Sequence, residues 1–313
     1  MYHWLKPIRS VSANVFQHDM ANLKEVRNRI ASVSSTQQIT KAMKMVSAAK
    51  LKRATGAILQ LRPYANKLRE ILANVSGSVE GSVSPYTVDR KPAKVLIVVI
   101  SSNRGLAGAF NANVIKTTNQ LIQTKYATQA AAGQVQILSI GKKGHDYFSK
   151  RPYGQLGHHN ELFSSLTFEE VAKVADRIMA GFVKGEYDRV ELVYNQFKNA
   201  AVQFLTSEQL LPLLPVKSLV TSQEQTTDYI IEPSKEEIIE NLIPKAIKTQ
   251  LYKAILDSHA SEHGARMTAM DKATDNAGEL LKSLKLSYNQ ARQAAITTEL
   301  TEIVSGAAAL SNG

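Results

Sequence analysis

The chain has 313 residues, 44% of them hydrophobic, which is room for two medium domains, or for one domain with long helices, around a sizeable core. It has no cysteine, so disulfides, thiolate catalysis and cysteine-ligated metals are excluded, and no apolar run approaches the ~18 residues of a bilayer-spanning helix. The net charge of +11 calls for an acidic partner: nucleic acid, anionic lipid or an acidic protein surface.

Residues 1–20 hold Lys6, Arg9, Tyr2, Trp4 and Phe16, with no acid before Asp19. The apolar stretch of a secretory signal is missing. The segment is expected to be an extension, either disordered or lying ahead of a start at Met20, with an organelle presequence as the alternative.

Residues 21–75 are expected to form one helix. Leu23, Val26, Ile30 and Val33 follow a 3–4 spacing, and Ile39, Met43 and Val46 resume it after a polar step at residues 34–38. Pro63 is the one breaker and a candidate kink. Residues 21–62 hold nine Lys or Arg against one acid, Glu25, a net of +8 on a single element. A Gly/Ser loop follows at residues 76–85.

The period then changes. Residues 94–101 (KVLIVVIS) are a β-branched run typical of a strand buried on both faces. A helix over 111–125, a strand over 134–141, an amphipathic helix over 167–184, a strand over 189–197 and a fourth over 202–211 complete an alternation that predicts a parallel α/β sheet.

From Ser234, which with Glu237 forms a capping box, the helical period returns and runs to about residue 310. Met267, Met270, Thr274, Ala277, Leu281, Leu284, Tyr288, Ala291, Ala295 and Thr298 make a heptad seam with small residues that admit a close partner. As one helix, residues 235–310 would span about 110 Å at ~1.5 Å per residue. The economical partner is the basic N-terminal helix. Two terminal helices wound as a coiled coil, with an α/β domain inserted between them, are therefore expected.

Four ordered segments carry a family resemblance: RIASV (29–33) with TKAMKMV (40–46); SSNRGLAG (101–108); ASEHGARM (260–267) with ATDN (273–276) and YNQARQ (288–293); and ITTELTEIVSGA (296–307). Together they resemble the γ subunits of F-type ATP synthases over residues 21–310. Ala107 stands where many members have Cys.

The resemblance implies a long antiparallel coiled coil of the N- and C-terminal helices with an inserted Rossmann-like α/β domain. Residues 1–20 would be the extension, 21–75 the N-terminal rotor helix, 90–215 the α/β domain and 234–310 the C-terminal rotor helix. It implies no catalysis and no cofactor in this chain. One copy would stand inside an α3β3 hexamer, against the ε subunit and the c ring, at a membrane it does not cross. That places it on the cytoplasmic face of a bacterial plasma membrane or, alternatively, the matrix side of a mitochondrial inner membrane. By residue, it implies that Met43, Lys44 and Arg266 face β near an acidic loop. Arg292, Gln293, Thr297 and Glu299 would bond a β loop, and Tyr229 and Glu232 would meet ε and the c ring. Thr297 lies ~140° around the helix from Arg292, and Glu299 ~200° from Thr297, a dispersal suited to a shaft encircled by partners.

Three other patterns point elsewhere. His259-Ala-Ser-Glu-His263 fits H-x-x-E-H, with both His on one helical face, but no third ligand is evident, so a solvated helix face is expected. Gly105-Leu-Ala-Gly108 follows a strand yet is neither G-x-G-x-x-G nor a P-loop, which leaves a tight turn. His158-His159 has no ligand spacing around it. A nucleic-acid-binding coiled coil is the competing class for so basic a chain, but no aromatic-interleaved basic patch accompanies the charge.

Overall fold

A computed structural model describes residues 11–76, 84–213 and 235–311. In chain order these form α1 (Val11–Ser76), β1 (Val95–Ile100), α2 (Phe110–Lys125), α3 (Ala127–Ala131), β2 (Val135–Ile140), α4 (Lys142–Phe148), β3 (Gly154–His158), a 3-10 turn (Glu161–Phe163), α5 (Phe168–Val183), β4 (Arg189–Phe197), β5 (Gln203–Leu211) and α6 (Lys235–Ser311). α1 starts at Val11. It continues through Pro63, as α6 does through Pro244. Of the capping pair, Ser234 lies outside the described residues.

The chain divides into two bodies, one of residues 1–44 with 270–313 and the other of residues 45–269. The larger body is built on a sheet of order β3-β2-β1-β4-β5. β1 pairs parallel with β2 and β4, and β2 with β3, while β5 is antiparallel to β4. The short link 198–202 explains that antiparallel edge: a parallel return would need a crossover of a dozen residues or more.

All six β1 side chains are 0% exposed, which is why its sequence lacks alternation. Val95, Ile97 and Val99 pack on one side with Val114 and Ile122 of α2 and Phe148 of α4. Leu96, Val98 and Ile100 pack on the other with Val171, Ile178 and Phe182 of α5. Each such buried aliphatic side chain contributes about 1.5–3 kcal/mol. α5 starts where Thr167 accepts a hydrogen bond from the Glu170 amide at 3.4 Å, with Glu169 and Glu170 in its first turn.

β3 was not predicted. Its sequence, Gly-Gln-Leu-Gly-His, has no β-branched residue, and it is held as an edge by backbone pairing to β2. Gly141, after β2, has φ 107°, and a Cβ there would lie 2.1 Å from the Ser101 carbonyl oxygen. Only glycine fits this junction, where the Ser101 hydroxyl donates to the Gly141 carbonyl (3.1 Å) and accepts from the Gly144 amide (2.8 Å).

Within this larger body the first part of α6 is a sheet-covering helix. Ile243, Ile247, Leu251, Ala254 and Ile255 join the cluster of β1 and α5. Farther along, Leu256 and Ala260 meet Ala54 and Ile58 of α1.

The smaller body is an antiparallel helix pair. Thr274 donates from its hydroxyl to that of Thr40 (2.8 Å), Gln37 Nε2 donates to the Thr274 carbonyl (3.4 Å), and Lys44 pairs with Asp271. Met270, Ala277 and Leu281 are buried along α6, as the heptad seam required. On α1 the seam differs from expectation. Thr40 is buried, and in the larger body so is Ser47, whereas Ile39 is 56% and Val46 58% exposed. A one-residue step turns a helix by ~100°, so choosing Thr40 over Ile39 rotates the apolar residue outward. The hydroxyl bond between Thr40 and Thr274 and the small side chains make that phase the better packed one.

Candidate partner interface

In a doubly wound sheet the place for a ligand is the crevice at the carboxyl ends of the strands, where the strand order reverses, here between β1 and β4. In this chain α6 fills it. The Ser261 hydroxyl donates to the Asn195 carbonyl at the end of β4 (3.0 Å). Arg266 donates to Glu262 (2.6 Å) and to the carbonyls of Arg104 (3.1 Å) and Gly105 (3.2 Å) in the turn after β1. Gly264 passes so close to the β4–β5 link that a Cβ would sit 3.1 Å from the Ala200 carbonyl oxygen. The turn itself takes its left-handed residues at Leu106 (φ 61°) and Gly108 (φ 57°). The crevice is therefore closed by the chain's own helix.

Arg266, expected to face a partner, is instead 7% exposed and committed within the chain. Burial raises the Glu262 carboxyl above its usual range, while Arg266 opposes that rise. The H-x-x-E-H segment is likewise buried rather than solvated. The ring nitrogens Nε2 of His259 and His263 lie 3.1 Å apart, and Phe163 stacks on His259 at 5.7 Å between centroids. The Glu of the pattern is held by Arg266, and no group of three ligating side chains occurs among the described residues.

Burial, reinforced by Lys50 and Arg266, pushes His259 down to about 4; burial, then His259 and Arg266, pushes His263 down to about 3. Both stay neutral when folded and take up protons more readily when unfolded. Their favourable contribution is present above the ordinary histidine range near 6.5 and is lost as pH falls toward 4. His259→Gln with His263→Gln should flatten the loss of thermal stability between pH 6.5 and 4, measured against wild type; parallel curves would show that the pair does not titrate this way.

The remaining expected interface residues lie in the smaller body. Met43 is half-buried, and Lys44 is half-buried in its pair with Asp271. Arg292, Gln293, Thr297 and Glu299 are all exposed, the Thr297 hydroxyl donating to the Gln293 carbonyl (2.9 Å). From residue 296 to 310 every residue of α6 is exposed. Among them are Ile296 (46%), Leu300 (58%), Ile303 (68%), Val304 (66%) and Leu310 (86%).

At 100° per residue these five lie within ~120° of one another, turned ~130° from the seam of Leu284, Tyr288, Ala291 and Ala295. The four polar residues fall in an arc of ~160° that brackets the same stripe, since the ~200° between Thr297 and Glu299 is ~160° the shorter way round. They are thus not dispersed around the helix: Thr297 and Glu299 flank one apolar face, and Arg292 and Gln293 fall within its arc. Sequence reasoning missed that face, although its 3–4 spacing of Ile, Leu and Val was visible.

The family described as "ATP synthase" matches residues 22–310. Over 293 residues, 93% of this chain and 99% of the relative, the chain is 61% identical to the ATP synthase gamma chain of Flavobacterium johnsoniae. The chain belongs to the ATP synthase gamma-chain family. The gamma chain of Flavobacterium psychrophilum is 59% identical, with 93% of this chain and 99% of that one covered.

Among solved structures, the OSCP/F1/c-ring assembly of Euglena gracilis mitochondrial ATP synthase contains a chain with this fold. Its TM-score is 0.64 at 21% identity, covering 93% of this chain and 95% of that one. A chain of the Tetrahymena thermophila mitochondrial ATP synthase central stalk and c-ring gives a TM-score of 0.54 at 27% identity, covering 75% of this chain and 99% of that one. The fold expectation of long paired terminal helices around an α/β domain is thus the gamma-chain fold. Tyr229 and Glu232, expected at ε and the c ring, lie outside the described residues. No helix among the described residues is long and apolar enough to cross a membrane.

Proposed function

We infer that this gamma chain is the central rotor shaft of a proton-driven ATP synthase and is itself not catalytic. It transmits torque from the rotating c-ring to the catalytic sites of an α3β3 head. The observation that carries this reading is the end of α6, exposed on every side over residues 296–310, with an apolar stripe bracketed by Thr297 and Glu299 and shared in its arc by Arg292 and Gln293. An isolated chain gains nothing from displaying such a stripe in water, whereas a shaft end turning in an apolar sleeve does. An asymmetric shaft touches each of three equal catalytic subunits differently, and differential contact is what gives equal sites unequal affinities.

In this reading Arg292, Gln293, Thr297 and Glu299 engage α and β at the upper end, Met43 and Lys44 face β lower down, and Tyr229 and Glu232 meet ε and the c-ring. Arg266 acts inside the chain. One copy serves each complex, at the cytoplasmic face of a bacterial plasma membrane, which the bacterial relatives favour over a mitochondrial matrix face.

Replacing Arg292, Gln293 and Glu299 together by Ala should lower ATP turnover per assembled hexamer several-fold, while circular dichroism of the free chain stays unchanged. Normal turnover would remove these residues from the interface, and an unfolded chain would make them packing residues. Met43→Lys adds a cation beside Lys44 on an already basic helix. If it gains a desolvated charge-assisted hydrogen bond to an acidic partner, about 1.5–3 kcal/mol would hold the rotor at one angle. Proton pumping should then fall more than ATP hydrolysis, and equal losses would place Met43 away from the sliding contact.

A further inference from the structure

In the larger body Asp257, on α6, is 1% exposed, and among the described residues neither of its carboxyl oxygens has a hydrogen-bond partner. A buried carboxylate without donors is strongly disfavoured unless a cation reaches it or a proton neutralises it. Both routes are available. Arg62 of α1 places Nη2 4.0 Å from Oδ1, beyond hydrogen-bonding distance, and the same nitrogen donates to the Phe197 carbonyl at 3.4 Å. The Arg62 side chain is 45% exposed, so its guanidinium is free to move in either direction.

We propose that Asp257 and Arg62 form a proton-operated clasp between α6 and α1. With the carboxyl protonated, Arg62 stays on the Phe197 carbonyl and in solvent. When the proton leaves to water, the guanidinium closes onto the carboxylate.

The groups around the carboxyl fix the direction of the switch. Burial raises its pKa most, Lys253 on α6 and Arg62 on α1 lower it, and Glu208 on β5 raises it again, leaving it at about 6. A folded-state value above the unfolded one means that the stability Asp257 contributes is fully present below the ordinary carboxylate range. It is lost as pH rises through about 6. Arg62 also closes the basic segment of α1, residues 21–62. The clasp therefore decides whether that charge turns inward or is offered to an acidic partner, and so ties one contact of a proton-driven rotor to internal pH. This last consequence rests on the rotor reading; the titration itself does not.

The test uses the full chain carrying aspartate labelled with carbon-13 at the carboxyl, followed by NMR across pH 3–8, with Asp257→Asn to assign the resonance. A midpoint near pH 6 is expected. Arg62→Gln should raise it by about one unit, because an opposite charge within a few ångström favours the ionised form. The thermal midpoint of Asp257→Asn should match wild type at the acid end and exceed it at neutral pH. A midpoint near the ordinary value of about 4, or one that Arg62→Gln leaves unmoved, overturns the clasp. If Asp257→Asn does not fold, the clasp still stands or falls on wild type against Arg62→Gln. A high-titrating aspartate that moves with Arg62→Gln supports it, and the absence of one overturns it. If the titration is found but neutral and acid pH give the same salt dependence of turnover in the assembled complex, the link to rotation fails and the clasp stays.

Discussion

Arg266→Ala is expected to destabilise the larger body by about 3–5 kcal/mol, because it leaves the Glu262 carboxyl buried without its cation. The same substitution strips the Arg104 and Gly105 carbonyls of their donor, so the turn after β1 loses its tie to α6. At ~2–4 °C per kcal/mol for a body of this size, the thermal midpoint should drop by roughly 10 °C. Hydrogen exchange at residues 103–108 should accelerate before the sheet itself opens.

Glu262 can escape part of the cost by taking up a proton, so the loss should be smaller at pH 5 than at pH 8. Glu262→Gln with Arg266→Met, which removes both charges at similar volume, should recover much of the loss. A loss below about 1 kcal/mol would mean that the pair contributes no more than a surface ion pair does, and that the closed crevice is held by Gly264 and Ser261 instead.

Gly141→Ala should be comparably damaging for a steric reason. At φ 107° an alanine is conformationally strained, at about 1–3 kcal/mol. Its Cβ would also sit 2.1 Å from the Ser101 carbonyl oxygen and 2.8 Å from the Ser101 hydroxyl, neither of which can yield without breaking the β1–β2 junction. Overpacking of that kind adds roughly another 1–3 kcal/mol. Gly133→Ala is the matched control: its φ is also positive, at 68°, but a Cβ there meets nothing within 4 Å among the described residues. It should show only the backbone cost, ~1–2 kcal/mol. Equal thermal shifts for the two variants would mean that backbone strain alone sets the cost at Gly141.

How much of this was legible depended on whether a signal was local. The β-branched run at β1, the amphipathic period of α5 and the heptads of α6 each declare themselves within one segment, and each was predicted within a residue or two. β3 did not, because its pairing to β2 is made by backbone groups that Gly, Gln and His supply as well as Val does. The phase of α1 failed for a related reason. Thr40 is a seam residue only because Thr274 lies opposite it, and nothing within α1 announces that.

The burial of His259, His263 and Arg266 was invisible on the same grounds. On a helical wheel they are polar, and only the docking of α6 over the strand ends removes them from water. Among the expected interface residues, Arg292, Gln293, Thr297 and Glu299 came from family likeness, and their exposure is the structural fact that keeps them eligible.

The antiparallel pair of the smaller body joins Lys44 to Asp271, 227 positions along the chain. A ribosome adding about 5–20 residues per second needs roughly 10–45 s to get from the first partner to the second. Throughout that interval the opening helix has emerged with no mate, its Leu23, Val26, Ile30 and Val33 stripe bare. The intervening α/β body can fold in the meantime from nearer contacts, and once folded it shortens the loop that the late helix must close. Nascent chains halted before residue 270 should therefore hold a protected sheet beside an unprotected start of α1, and it is that start which a holdase would have to cover.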